Sequence, residues 1–330
     1  MSEREWTIGR PRLSRREATV ALIPPGARRR LEDRLGGGIM VGLTAGAVLL
    51  VVALIMALLV RSWPILHTYS PRELLLGRSW QPLAGLFGFW PFIVGTLWVT
   101  GVAMVIAVPL CTLCAIYLAE YARPSVRKAI KPLIDLLAGI PSVVYGLWGV
   151  LIVVPLIRED VGPWIDHHLG QIPLFSSAAN PTGYGVLAGG IVLAVMVFPI
   201  IISVMEEVLC SVPDGLREAT LALGVTRWLM VRRVILRRAL PGVMSAVVLG
   251  FSRAFGETMA VLMVVGNVPQ VPRSLFDAAY PLTALIANNY GEMMSIPLYD
   301  AALMAASLLL LLIVLAFNLT ARLVLRRVTA

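Results

Sequence analysis

The chain has 330 residues, 58% of them hydrophobic and only 14% charged, with a net charge of +9. A soluble globule covers its core with roughly a quarter charged residues, so this composition excludes a soluble enzyme and indicates an integral membrane protein. The basic excess is compatible with nucleic-acid binding until each basic residue has been located.

Residues 1–38 form a basic tail that includes Arg28, Arg29 and Arg30 and ends in Gly36-Gly37-Gly38. No strand precedes these glycines and no Lys-Ser/Thr follows them, so they read as a hinge and not as a phosphate loop. A helix crosses a hydrocarbon core about 30 Å thick with about 20 apolar residues. Six such runs are found, at 39–60, 92–118, 133–157, 184–205, 240–266 and 301–320. The first ends without a small-residue cleavage site and is expected to be an uncleaved anchor. In the second, Cys111 and Cys114 have a spacing known from zinc and redox sites. They lack a second pair or a nearby His and read as helix packing. Asp135, near the start of the third run, is expected to pair with Lys131 or Arg127. Trp63, Trp80, Trp90 and Trp164 lie near run ends and read as interfacial anchors. His167 and His168 read as solvated loop residues.

The basic residues then sort by segment. The tail 1–38 holds nine, 119–132 four, 206–239 six and 321–330 three, whereas 61–91, 158–183 and 267–300 hold three, one and one. With six spans, the positive-inside rule puts both termini in the cytoplasm. The tail is then a topology signal and a contact for anionic membrane lipid, and no nucleic-acid partner is expected. A single basic residue, Arg253, falls inside a span.

The loop 206–239 is the most patterned part of the same face. Pro213 and Asp214 suit a helix start, and Leu216, Ala219 and Leu223 share one face. Gly224 permits a break, and Thr226 can cap a second helix carrying Trp228, Val231, Ile235 and the cluster Arg232, Arg233, Arg237, Arg238. Such a pair of helices either docks another protein, with Glu218, Ala219 and Thr220 presented outward, or lies on the membrane surface.

A charge at mid-bilayer costs about 2.5 kcal/mol or more, so Arg253 and Glu257 are functional candidates. Four residues apart, they lie on one face of a continuous helix, about 18 Å beyond Pro241 at 1.5 Å per residue. Either they neutralise each other and fix helix packing, with Gly250 and Gly256 allowing close approach, or Arg253 offers its guanidinium to an oxyanion while Glu257 holds it in the empty site. Pro141 frees a carbonyl in the third span and Ser142 adds a hydroxyl, so this spot can line a pathway opposite Arg253.

Glu218-Ala219-Thr220, Gly224 and Val234-x-Leu236 resemble the Glu-Ala-Ala, Gly, Ile-x-Leu-Pro signature of type I permeases of binding-protein-dependent ABC importers. Two positions depart from it: Thr220 stands for the second alanine, and Arg237 stands where the proline follows. The stretches Leu249–Ala260, Ala138–Gly146 and Tyr280–Asn288 are similar to segments of the phosphate-specific branch, its C-type subunit more than its A-type. The resemblance runs from about residue 88 to 320 and implies an all-α membrane protein with the type I permease fold. It implies that 206–239 couples to an ATPase through Glu218, Ala219, Thr220 and Gly224, and that phosphate passes Arg253, Glu257 and Ser142 by alternating access. The implied partners are a second related permease, two ATPase subunits that bind the ATP and magnesium, and an extracytoplasmic phosphate-binding protein docking on 61–91 and 267–300. No cofactor is expected on this chain, which contains no Gly-x-x-x-x-Gly-Lys-Ser/Thr loop. A permease for sulfate or molybdate is the alternative. A membrane-embedded enzyme would need a base or metal ligands at the depth of a nucleophile, and no span contains a His. A channel or stand-alone carrier would have no use for the coupling signature.

Overall fold

The computed structural model describes residues 25–176, 180–291 and 297–329, with side chains for 33–176, 180–291 and 298–323. Residues 1–24 of the basic tail and the side chains of Arg28, Arg29 and Arg30 lie outside them. The chain divides into two units, Met1–Ala57 and Leu58–Ala330. In the first, the described residues belong to α1 (Pro25–Thr68), whose large apolar side chains from Ile39 to Met56 are mostly exposed. A helix apolar on all sides is suited to lipid.

In the second unit, α2 (Pro71–Leu76) leads to a short hairpin of β1 (Trp80–Gln81) and β2 (Leu86–Phe87). There follow α3 (Trp90–Tyr121), α4 (Pro124–Ala138), α5 (Ser142–Leu169), α6 (Val186–Cys210) and α7 (Asp214–Ala222). The chain continues through α8 (Arg227–Phe255), α9 (Met259–Val264), α10 (Leu282–Asn289) and α11 (Pro297–Thr329). Among the described residues six helices are long and apolar enough to cross a membrane: α1, α3, α5, α6, α8 and α11.

The largest core lies between α3, α6 and α8. Ala103, Ala107, Cys111 and Ala115 of α3 are fully buried in one cluster with Leu193, Val197, Ile201 and Met205 of α6. Small residues on one helix let the other approach, the usual solution where lipid removes the hydrophobic drive for association. On α8, a Cβ at Gly250 would come within 2.4 Å of Ile201, so glycine is required there by proximity. A Cβ at Gly256 would meet only its own turn, at 3.7 Å. The close approach expected at both positions therefore exists at Gly250 alone. A second core joins the hairpin to α10 and α11. Packed against it, Trp80 lies 5.1 Å from Phe92, 5.7 Å from Phe87 and 5.9 Å from Tyr299, ring centre to centre. Trp80 is thus half-buried among rings of the chain itself, whereas Trp63 and Trp164 are exposed.

Three elements differ from the sequence reading. Gly36, Gly37 and Gly38, read as a hinge, lie within the unbroken helix α1, Pro25–Thr68. The run 133–157 is split: α4 is a separate amphipathic helix without a buried residue, and α5 begins at Ser142 after Gly139-Ile140-Pro141. Proline disfavours helical geometry in the residue before it, which ends α4. α5 then runs on through two π turns to Leu169, so His167 and His168 are helical, with His168 stacked on Trp164 at 4.6 Å. The run 240–266 is displaced as well, since the helix starts at Arg227 and stops at Phe255. Thr226 caps its start, Oγ1 accepting from Leu229 N–H at 3.4 Å. The helix continues through the arginine cluster by way of a π turn, Val231–Ile235, with Met230, Val231 and Ile235 buried on its other face.

Candidate functional site

α8 ends at Phe255 and helix resumes only at Met259. The Glu257 N–H reaches back three residues to the Ala254 carbonyl, at 3.3 Å, which tightens and closes the last turn. Arg253 is on that last turn and Glu257 lies in the break, so the two do not share the face of one helix. The Glu257 carboxylate turns forward: Oε1 accepts from the Ala260 N–H at 3.2 Å and caps α9. The Glu257 carbonyl accepts from Thr283 Oγ1 at 2.8 Å. The expected Arg253–Glu257 pair does not form, and among the described residues no carboxylate is within ion-pairing distance of Arg253. Arg253 is exposed. Its place at a helix C-terminus is where the dipole favours a cation.

Three separate stretches meet at this break. Tyr145 of α5 is buried in one cluster with Ala260 and Val264 of α9. The Tyr145 hydroxyl donates to the Leu137 carbonyl at 2.8 Å. Ser142, half-buried, is the first residue of α5, within one turn of Tyr145. From the third stretch, Thr283 holds the break, and Leu282 N–H donates to Thr96 Oγ1 of α3 at 3.0 Å. Behind the site, Ser252 Oγ bonds Asn318 Oδ1 at 2.9 Å and ties α8 to α11. Ala138–Gly146, Leu249–Ala260 and Tyr280–Asn288 therefore meet at one discontinuity in the membrane region, beside a guanidinium that has no carboxylate partner among the described residues. Such a group presents up to five N–H donors to a multidentate anion.

The second candidate region is α7. It begins at Asp214, and the chain turns after it at Gly224, whose φ of 76° lies in the left-handed region that glycine enters without strain. Glu218, Ala219, Leu216 and Leu223 are exposed, Thr220 is half-buried, and Trp228 beyond the turn is exposed. The apolar face expected from the spacing thus exists and is not covered by the described residues.

Sequence reading missed two buried carboxylates nearby. Glu206, 3% exposed, pairs with Arg127 and, at 3.4 Å, with Lys131 of α4. These are the partners expected for Asp135, which is exposed instead. The available signal was an acidic Glu206-Glu207 doublet abutting an apolar run. Glu120 is the other, held by Arg217.

Residues 111–330 match the family described as binding-protein-dependent transport system inner membrane component. A phosphate transport system permease protein PstC of Haemophilus influenzae is 38% identical over 268 residues, covering 80% of this chain and 84% of that protein. The protein of the same name from Xylella fastidiosa is 35% identical over 94% of this chain and 98% of its own length. Among solved structures, a chain of the MetNI methionine ABC transporter in an inward-facing conformation superposes with a TM-score of 0.52 at 23% identity. It covers 74% of this chain and 95% of that one, a likeness of fold.

Proposed function

Because the chain belongs to the binding-protein-dependent transport system inner membrane components, we propose that it is a phosphate-translocating permease subunit of an ATP-driven importer. The observation that carries this reading is Arg253, a guanidinium without a carboxylate partner among the described residues, at a break in a spanning helix. The names of the relatives that align along 80% and 94% of the chain support phosphate as the anion. The chain is a multi-pass inner-membrane protein. In this reading both termini are cytoplasmic, which the distribution of basic residues supports.

In this reading the chain does no chemistry of its own. A second, related permease faces it. Two ATPase subunits bind ATP and magnesium and dock on α7 through Glu218, Ala219, Thr220 and the turn at Gly224. A phosphate-loaded binding protein docks at the opposite end of the bundle, on 61–91 and 267–300. Closure of the ATPases on α7 switches the permease pair, and phosphate passes Arg253 beside Ser142 while Glu257 keeps the break in shape. Guanidinium suits a tetrahedral oxyanion because parallel N–H groups meet two oxygens at once.

The reading is tested by competition. Uptake by the reconstituted complex should be suppressed by excess unlabelled phosphate and not by equal sulfate or molybdate. Suppression by sulfate or molybdate as strong as by phosphate would assign the chain to another oxyanion.

A further inference from the structure

α7 has no buried residue. None of its apolar side chains is buried, and it is flanked by Pro213 on one side and the Gly224 turn on the other. Among the described residues one side chain of α7 makes the polar attachment to other elements. Arg217, 16% exposed, reaches across to Glu120, 5% exposed, near the end of α3. Its Nε donates to the Glu120 carboxylate at 3.1 and 3.3 Å, and Nη2 donates to Oε1 at 2.9 Å. Nη2 also donates to the Leu209 carbonyl at 2.8 Å, and Nη1 to Asp214 Oδ1 at 2.9 Å and to the Val212 carbonyl. All five guanidinium N–H groups are thereby engaged. The Leu209 carbonyl belongs to the last turn of α6, where a helix leaves its carbonyls without intrahelical partners. One guanidinium on α7 therefore reaches two other elements, α3 through Glu120 and the end of α6 through the Leu209 carbonyl, while its bond to Asp214 braces the first turn of α7 itself.

Glu120 itself sits in a π turn, Tyr117–Tyr121, closed by Ala122 N–H to the Tyr117 carbonyl at 2.8 Å. The extra residue in such a turn redirects the side chains around it, and π turns recur at functional positions. The hydrogen bonds to Glu120 hold Arg217 above the ordinary arginine value against the opposing effect of burial, so the guanidinium stays charged. The neighbouring Glu218 is exposed. α7 is thus clamped on the side of Arg217 and open on the side of Glu218.

We propose that Arg217 is a positioning residue that makes α7 move as one body with α3 and α6, so that displacement of α7 reaches the transport pathway and is not absorbed by the loop. The path onward is short in structural terms, because α3 and α6 are packed together along the main core, from Val99 to Ala115 and from Leu193 to Met205. The proposal rests on the reading that α7 docks the ATPase. Without Arg217, α7 keeps its docking face and loses its connection to the core.

The test uses the full complex of permeases, ATPases and binding protein in liposomes, and reads phosphate moved per ATP hydrolysed. For Arg217→Gln the ATPase should still co-purify, and the ratio should fall about tenfold, the scale of coupling changed by residues that touch neither ligand. Arg217→Lys keeps the charge pair and loses the bonds to the carbonyls, so its ratio should be intermediate. If Arg217→Gln does not assemble, Arg217→Lys and Glu120→Gln are read in the same way, and a lowered ratio is expected of both. An unchanged ratio in assembled complexes overturns the clamp. Glu218→Arg separates the two ideas: if it uncouples transport while the Arg217 variants do not, the clamp alone fails. If Glu218→Arg leaves both ATPase binding and the ratio intact, the docking reading itself fails.

Discussion

Arg253→Gln is expected to abolish phosphate uptake while the complex still assembles. With phosphate seated on it, Arg253 becomes one partner of a hydrogen-bonded charge pair, and truncating one partner of such a pair once water is excluded costs about 2–5 kcal/mol, roughly a hundredfold or more in uptake at limiting phosphate. The assembly half of this expectation follows from the geometry. Arg253 bonds no carboxylate among the described residues, and Glu257 spends its Oε1 on the Ala260 N–H. Had the two neutralised each other, Arg253→Gln would leave a lone carboxylate in the membrane, and the double variant Arg253→Gln/Glu257→Gln would restore assembly. Here the single variant should assemble as well as the double. Yield of intact complex after affinity purification, measured beside uptake, checks both halves. Normal uptake by Arg253→Gln would remove Arg253 from the pathway.

Glu218→Arg is expected to release the ATPase. Glu218 is exposed on α7, and the ion pairs that hold α7 run through Arg217 and Asp214, so the substitution leaves the chain's own bonds intact. A reversed charge in a protein interface costs several kcal/mol through like-charge juxtaposition, about a hundredfold in affinity. The amount of ATPase retained on the purified permease pair measures this. Retention at the level of the unaltered protein would place the ATPase elsewhere.

The six spanning helices were legible because bilayer thickness sets a length that composition alone reveals. Their ends were less so. Apolar counting merged the last turns of α4 with α5, although Ile140-Pro141 marks a break by backbone sterics. It also could not extend α8 back to Arg227, because the arginines of one face conceal the buried Met230, Val231 and Ile235 of the other. Arg253 stood out as the sole basic residue inside an apolar run, and Thr226 and Gly224 as local turn and cap chemistry, both of which depend on neighbours in sequence. The four-residue spacing of Arg253 and Glu257 misled, since it holds only where the helix continues. Local bonds of Glu257 to Ala254 and Ala260 end it there. The buried carboxylates were beyond reach of such reasoning: Glu120 finds Arg217 at a separation of 97 residues, and Glu206 finds Lys131 at 75. Pairings at that distance are set by which helices pack together, and no local pattern encodes them.

The central claim is that the chain imports phosphate only when ATP hydrolysis drives α7. Liposomes containing both permeases and the ATPases, with loaded binding protein supplied, test it through the initial rate of phosphate accumulation with ATP and with a non-hydrolysable analogue. The account predicts accumulation with ATP and none above empty liposomes with the analogue. Equal accumulation in both would contradict it.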